Sequence, residues 1–249
     1  MASMPDYRWN TSDFAVGYDA AAHVVHPRYL AIQDEILRLL EGPLSQGGCV
    51  VDLGGGSGRL MERILDRFPN AQGMVIDQSE PFLALAERRL ARFGERAGCL
   101  QDRLQSQHWD AQTAGNPLAI VSMSAIHHLA AAEKQALYDR CYELLEPGGV
   151  LLNGDEVRAA ETPEYLLALS AWADHMRREM AAGTIPPSFQ DALHGWIDRN
   201  VTHFGQEKRS GDDCHETIEA QLGYFRSAGF RIVDCPWHRD LWAVLRAVK

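Results

Sequence analysis

Apolar positions recur at helical spacing from Tyr29, at Leu30, Ile36, Leu37 and Leu40, until Gly42-Pro43 stops the run. The first 45 residues show no strand pattern and are expected to be helical. The character changes at Cys49-Val50-Val51-Asp52-Leu53, a short β-type run that breaks into Gly54-Gly55-Gly56-Ser57-Gly58. A helix is predicted from Arg59 to Phe68, a strand over Gly73–Asp77 and a helix over residues 80–93. Cys99-Leu100-Gln101 closes a third strand, Leu118–Met123 reads as a buried fourth, and Ala131–Leu145 as the helix after it. Pro147-Gly148-Gly149 turns the chain into a fifth strand over Val150–Asn153. Strands alternating with helices of this length predict a parallel sheet covered on both faces, with ligands beyond the carboxyl ends of the strands.

Residues 158–213 interrupt the alternation. Pro163–Met180 carries Tyr165, Leu166, Leu169, Trp172, Met176 and Met180 at helical spacing. Ile185-Pro186-Pro187 separates it from a second helix over Ser188–Asn200 with Phe189, Leu193, Trp196 and Ile197. The tail resumes with a helix over Glu216–Ser227, then strands over Phe230–Val233 and Leu241–Val248. The expected organisation is a helical cap (1–45), an α/β core (46–157), a helical lid insertion (158–213) and the remainder of the core (214–249).

Composition narrows the function classes. The 249 residues are 46% hydrophobic and 23% charged, enough to bury a core. The formal charge of −10 disfavours a polyanionic nucleic acid or anionic lipid as partner. No apolar run approaches the roughly 20 residues needed to span a bilayer. Met1–Asn10 lacks the basic-then-apolar layout of a signal peptide. Five cysteines at 49, 99, 141, 214 and 235 form no zinc-ligand spacing and read as reduced thiols, so a cytoplasmic protein is expected.

A strand, glycine loop and helix in succession form a nucleotide-binding arrangement. Here Asp52 precedes the glycines in the pattern D-x-G-x-G-x-G over Asp52, Gly54, Gly56 and Gly58. A dinucleotide fingerprint wants a third glycine where Arg59 stands, which sets an NAD dehydrogenase well behind. A carboxylate at the loop entrance suits a cationic ligand better than a pyrophosphate, and S-adenosylmethionine carries an ammonium and a sulfonium. Asp77 ends the second strand, where a carboxylate can accept both ribose hydroxyls of an adenosine. Asp102, where the third strand should end, can face an adenine amino group.

These residues carry a family resemblance. Val50–Gly58 resembles motif I of the class I S-adenosylmethionine-dependent methyltransferases. Ser124-Ala125-Ile126-His127-His128-Leu129 resembles the segment after their fourth strand, and Leu144–Leu151 with its Pro147-Gly148-Gly149 the one before their fifth. Ala228-Gly229-Phe230 and Trp242-Ala243-Val244-Leu245 resemble their final hairpin. The four matches fall in the family's order. The resemblance implies a three-layer αβα Rossmann-like fold, with a mostly parallel sheet and an antiparallel last strand. It implies S-adenosylmethionine as cofactor and S-adenosylhomocysteine as product. By position, Gly54, Gly56 and Gly58 would line the methionine part and Asp52 would hold its ammonium through water. Asp77 would take the ribose, Gln78 would lie beside the adenine, and Asp102 and Arg103 would flank the base. Ser122 and Met123 would meet the methionyl group or the substrate. A narrower resemblance is to the bacterial carboxy-S-adenosylmethionine synthase of tRNA wobble-uridine modification, through Pro27-Arg28-Tyr29. It implies Tyr29 as a cofactor residue and Arg199 as the holder of an added carboxylate.

In-line methyl transfer needs an acceptor about 3 Å from the methyl carbon, and a base only if an acceptor proton must leave. His127 and His128, just past the fourth strand, are the candidate catalytic residues; the structural alternative is one helix-orienting and one solvated histidine. Asp155 and Glu156 follow the fifth strand at its carboxyl end, where one can face the pocket; the structural alternative, and the expectation here, is a helix-capping Asp with an exposed Glu. Asp212-Asp213-Cys214-His215-Glu216 reads as an acidic helix start, and because adjacent residues cannot all converge on one ion no metal site is expected. Tyr165, Trp172, Phe189 and Trp196 either glue the two lid helices or roof an apolar substrate pocket; Trp172, Trp196 and Arg199 are the candidate substrate contacts. His175 and His194 are expected at the surface, and Arg88, Arg89, Arg92 and Arg96 on a solvated face near Glu87 and Glu95. Tyr18 and Tyr29 either close over the cofactor or pack within the cap. The leading expectation is methyl transfer to a small organic acceptor, with a homodimer compatible. The carboxy-S-adenosylmethionine synthase type and a non-catalytic cofactor-binding module are the alternatives.

Overall fold

The computed structural model describes residues 10–106, 108–109 and 115–249, so the helical expectation for residues 1–9 lies outside the described residues. The cap forms two helices, α1 (Ser12–Val25) and α2 (Tyr29–Leu40). The inward stripe of α2 is Tyr29, Ile32, Gln33, Ile36 and Leu40, whereas Leu30 is 57% exposed. The apolar seam is therefore rotated away from the Leu30 position of the predicted stripe.

The alternation follows as β1 (Gly48–Leu53), α3 (Arg59–Arg67), β2 (Ala71–Asp77), α4 (Glu80–Leu90) and β3 (Ala97–Gln101). Then come β4 (Ala119–Met123), α5 (Ala131–Leu144) and β5 (Val150–Glu156). The lid helices are α6 (Thr162–Ala181) and α7 (Pro187–Ile197), and the chain ends with α8 (Ile218–Ala228), β6 (Ile232–Arg239) and β7 (Trp242–Val248). Ser79 caps α4 by accepting from the Phe82 amide, and Thr217 caps α8 by accepting from the Ala220 amide.

The seven strands form one sheet in the order β3-β2-β1-β4-β5-β7-β6. Neighbours from β3 to β5 run parallel, and β7 is antiparallel to both β5 and β6. The strand order reverses between β1 and β4, and a crevice opens there at the carboxyl ends. Successive residues face opposite layers. Val50, Val121 and Leu152 join the core shared with the cap, α3, α4 and the lid helices, while Val51, Ile120 and Leu151 join the one built with α5 and α8. Each such side chain contributes roughly 1.5–3 kcal/mol when fully buried.

β5 continues three residues beyond its predicted end because β7 pairs with it to the last residue, Asp155 opposite Ala243 and Glu156 opposite Trp242. β6 likewise runs on to Arg239, with an irregularity between Asp234 and Trp237 around Pro236. The last turn predicted for α7 is instead a π-turn over Asp198–Thr202.

Candidate functional site

The glycine loop turns with positive φ at Gly54 (67°), Gly56 (54°) and Gly58 (77°), a region that favours glycine. Asp77 holds the loop down: Oδ2 accepts from the Gly56 amide at 3.0 Å and Oδ1 from the Ser79 amide at 2.8 Å. Asp52 is buried beneath, and neither of its carboxylate oxygens has a hydrogen-bond partner. A Cβ at Gly55 would come within 2.6 Å of its Oδ2, so this approach requires glycine. Burial, then the neighbouring Asp77, pushes the Asp52 carboxyl up to about 8. Burial pushes Asp77 to about 6, against the loop amides of Ser79, Gly56 and Gln78.

A cleft of about 500 Å³ lies over this loop. Asp52, Gly54, Gly56, Asp77, Gln78, Asp102, Arg103, Met123, Tyr29 and His128 all line it, and so does Tyr18. Two expected cofactor residues stand outside the lining, as does His127. Gly58 is the N-cap of α3 and packs toward Ala86 and Leu90 of α4. Ser122 is fully buried and donates to the Leu53 carbonyl at 2.8 Å, tying β4 to β1.

Asp19 of α1 is a cleft-organising residue that the sequence did not signal. It accepts from Arg59 Nε at 2.8 Å, from Arg89 at 2.9 Å and from the Ser57 hydroxyl. Arg89 is thus an ion-pair partner of the cap, Arg92 pairs with Asp66 of α3, and Arg96 donates to carbonyls at Leu65, Phe68 and Ala71. The basic run of α4 and the 3-10 turn after it serves inter-helix contacts beyond a solvated face.

A second chamber of about 210 Å³ adjoins the cleft, and Tyr18, Ser124 and His128 line both. Phe14, Trp172, Met176, Phe189 and Trp196 form its apolar walls. The Trp172 and Trp196 ring centroids are 4.4 Å apart, and Trp172 Nε1 donates to the Val25 carbonyl of α1 at 2.8 Å. Arg199 also reaches this wall, so the three candidate substrate residues share one chamber. His175 bonds the Val24 carbonyl of α1 at 2.7 Å, and His194 is exposed; neither lines the chamber.

The polar side of the chamber corrects two expectations. Asp155 and Glu156 are buried strand residues, not a cap and an exposed acid. The His127 amide donates to Asp155 Oδ2 at 2.9 Å, while Nδ1 lies 2.6 Å from Asp155 Oδ1 and 2.9 Å from Glu156 Oε2. The other Glu156 oxygen takes Ser124 Oγ and Trp242 Nε1 at 3.2 Å each, and His26 Nδ1 lies at the same distance. Burial opposes charge on His127, but Asp155 and Glu156 outweigh it and hold the imidazolium well above its ordinary range. Burial raises Glu156, but His127 and then His26 outweigh it and keep its carboxylate well below the usual range.

Residues 213–217 are irregular chain after a bend at Asp212, and α8 begins only at Ile218, so the segment is not a helix start. The Cys214 amide donates to the His127 carbonyl at 2.9 Å and the Gly211 amide to the His128 carbonyl at 2.7 Å. Buried Lys134 of α5 fixes the segment by donating to the Cys214 carbonyl and to Glu216, each at 2.6 Å. Asp213 and His215 consequently face His127. Burial, then the charge of His127, pushes His215 down to about 4.

A family model described as a methyltransferase domain matches residues 50–149. The malonyl-[acyl-carrier protein] O-methyltransferase of Geobacter sulfurreducens is 26% identical over 241 residues, covering 94% of this chain and 76% of the relative. The 23S rRNA (guanine(748)-N(1))-methyltransferase of Streptomyces fradiae is 32% identical over 104 residues, covering 42% of this chain and 32% of the relative. Human N-acetylserotonin methyltransferase, solved in complex with SAM, superposes with a TM-score of 0.57 at 15% identity. That likeness covers 87% of this chain and 51% of the human one. The chain therefore spans about a third of one curated relative's length, three quarters of the other's and half of the human enzyme's.

Proposed function

We propose that this chain is a class I S-adenosylmethionine-dependent methyltransferase and that it moves a methyl group from S-adenosylmethionine to a small organic acceptor seated in the aromatic chamber. The observation that carries this reading is the shared wall of Tyr18, Ser124 and His128, which joins an adenosine-sized cleft to an apolar chamber.

The cleft suits the cofactor. Asp52 is a buried carboxylate with no partner, lining the space where a cationic amino acid moiety would lie. Asp77 would take the ribose hydroxyls, and Gln78, Asp102 and Arg103 would border the base. Tyr29 and Tyr18 would close the cleft from the cap. When bound, the sulfonium supplies an electrophilic methyl that passes to a nucleophile by in-line displacement. The chain's own work is then to exclude water and to hold the acceptor in line. The aromatic walls would hold the acceptor's body, and His128 at the shared wall and His127 within the chamber its polar group. Asp155 fixes the His127 ring for that task.

The Geobacter relative aligns through the lid as well as the core, and its O-methyl chemistry supports an oxygen acceptor. The rRNA relative aligns over less than half of this chain, and the formal charge of −10 weighs against a polyanionic substrate. Incubation with S-adenosylmethionine and panels of small phenols, carboxylic acids and amines tests the reading. S-adenosylhomocysteine released in step with a methylated small molecule is expected; turnover with RNA alone would overturn the acceptor assignment. Native mass spectrometry of the purified chain separates the carboxylated-cofactor alternative, in which Arg199 would meet the added carboxylate, by the retained mass.

A further inference from the structure

We infer that the polar side of the acceptor chamber is a site for one divalent transition-metal ion, held by His127, Asp213 and His215. One ligand atom from each of these side chains lies within 4.8 Å of the other two. Nε2 of His127 stands 3.8 Å from Oδ1 of Asp213. Ligands around a tetrahedral ion at about 2.1 Å are roughly 3.4 Å apart, so His127 and Asp213 need close by only a few tenths of an ångström, and His215 by at most about 1.4 Å.

The remaining polar atom of each ligand is already engaged. Nδ1 of His127 is held by Asp155 at 2.6 Å, so Nε2 is the atom turned toward Asp213, and an ion there replaces the Nε2 proton of the imidazolium, which is released to solvent. Nδ1 of His215 bonds the Tyr165 hydroxyl at 2.7 Å, so its Nε2 is the ligating nitrogen. Oδ2 of Asp213 accepts from Asn200 Nδ2 at 2.8 Å. Outer partners that fix the ring and carboxylate of each ligand are the second feature of protein metal sites, and a carboxylate on the far nitrogen of a ligating histidine is a recurrent form of it. The expectation of no metal rested on the adjacency of residues 212–216. The chain instead bends at Asp212, where the Cys214 amide bonds the Asp212 carbonyl at 3.1 Å, and is tied at Cys214 to the His127 carbonyl, which brings Asp213 and His215 to face His127 together.

Two imidazoles and one carboxylate select Zn²⁺, Fe²⁺, Co²⁺ or Mn²⁺ over Mg²⁺ or Ca²⁺. Three protein ligands leave coordination positions open, and all three line the chamber. An acceptor oxygen bound there would be polarised and would lose its proton more easily. Ion binding itself needs neither acceptor nor cofactor, and it is tested apart from methyl transfer.

The test is titration of the chelator-stripped, tag-free chain with Co²⁺ and Zn²⁺, by calorimetry and by the visible absorption of Co²⁺. Expected are one ion per chain, a Co²⁺ band from mixed nitrogen and oxygen ligands, and at least tenfold weaker binding of Mg²⁺. His215→Gln and Asp213→Asn should each weaken Zn²⁺ at least tenfold, whereas the surface substitution His23→Gln should not. Thermal unfolding of each variant shows which are folded, and Tyr165→Phe, which keeps all three ligands, should still take up one ion. Failure of the parent to bind Co²⁺ or Zn²⁺, or unchanged affinity in the folded ligand variants, would overturn the site and leave the cluster as a hydrogen-bonded brace.

Discussion

At the scale of single residues, the cleft is built around a carboxylate in an unfavourable place. An unfolded Asp titrates near 3.9, and Asp52 in the folded chain titrates at about 8. Between those values the folded state binds the extra proton, so stability falls as pH rises, by up to about 1.4 kcal/mol per pH unit, and levels off above the folded value. Asp52→Asn removes this cost. The variant should unfold at a higher temperature than the parent near pH 8, with the difference shrinking toward pH 4, when thermal melts are compared across pH. Its S-adenosylmethionine affinity should be weaker and nearly flat with pH, while the parent's rises as the carboxylate ionises. A parent and variant that melt alike at every pH would refute the assignment. Asp52 and Asp77 were legible because strand, loop and carboxylate lie within a few residues of one another. Glu156 and His215 were not: their partners are His26, Ser124, His127, Trp242 and Tyr165, brought in from distant parts of the chain.

At the scale of elements, the cap is fastened to the glycine loop through one side chain. Asp19 gathers Arg59, Arg89 and Ser57, and the preceding residue on α1, Tyr18, lines both cavities. Asp19→Ala leaves two guanidinium groups without this acceptor and should lower stability by about 1–3 kcal/mol. Calorimetry should also show S-adenosylhomocysteine binding weakened, because α1 no longer closes the cleft. A variant with parental affinity would show that the cap is only a scaffold. In the lid, Trp196→Ala should raise the KM for the acceptor severalfold and leave S-adenosylhomocysteine affinity unchanged, in steady-state assays paired with titration. Equal losses of both would place Trp196 in structural support alone. The amphipathic stripes of α6 and α7 were plain in the sequence. The length of β5 was not, since its polar end is held by pairing with β7, about 86 residues further on.

At the scale of the whole molecule, the alternation of strands and helices anticipated the parallel sheet, and the antiparallel β7 agrees with the resemblance. The larger cleft falls where the strand order reverses, between β1 and β4. What pattern alone did not reveal is that lid, cap and the segment around Asp213 close together on the end of β4. That closure depends on a buried lysine and on backbone bonds to His127 and His128, none of which leaves a periodic trace. No helix among the described residues is long and apolar enough to cross a membrane. The claim on which the rest depends is that the crevice beyond β1 and β2 holds an adenosine-bearing sulfonium through Asp77. Calorimetric titration of S-adenosylhomocysteine into the parent and into Asp77→Ala, each confirmed folded by thermal melt, tests it directly. Binding of one ligand per parent chain, weakened at least tenfold in the variant (about 1.4 kcal/mol), is the result this account predicts; equal affinities, or a parent that binds NAD in preference, would contradict it.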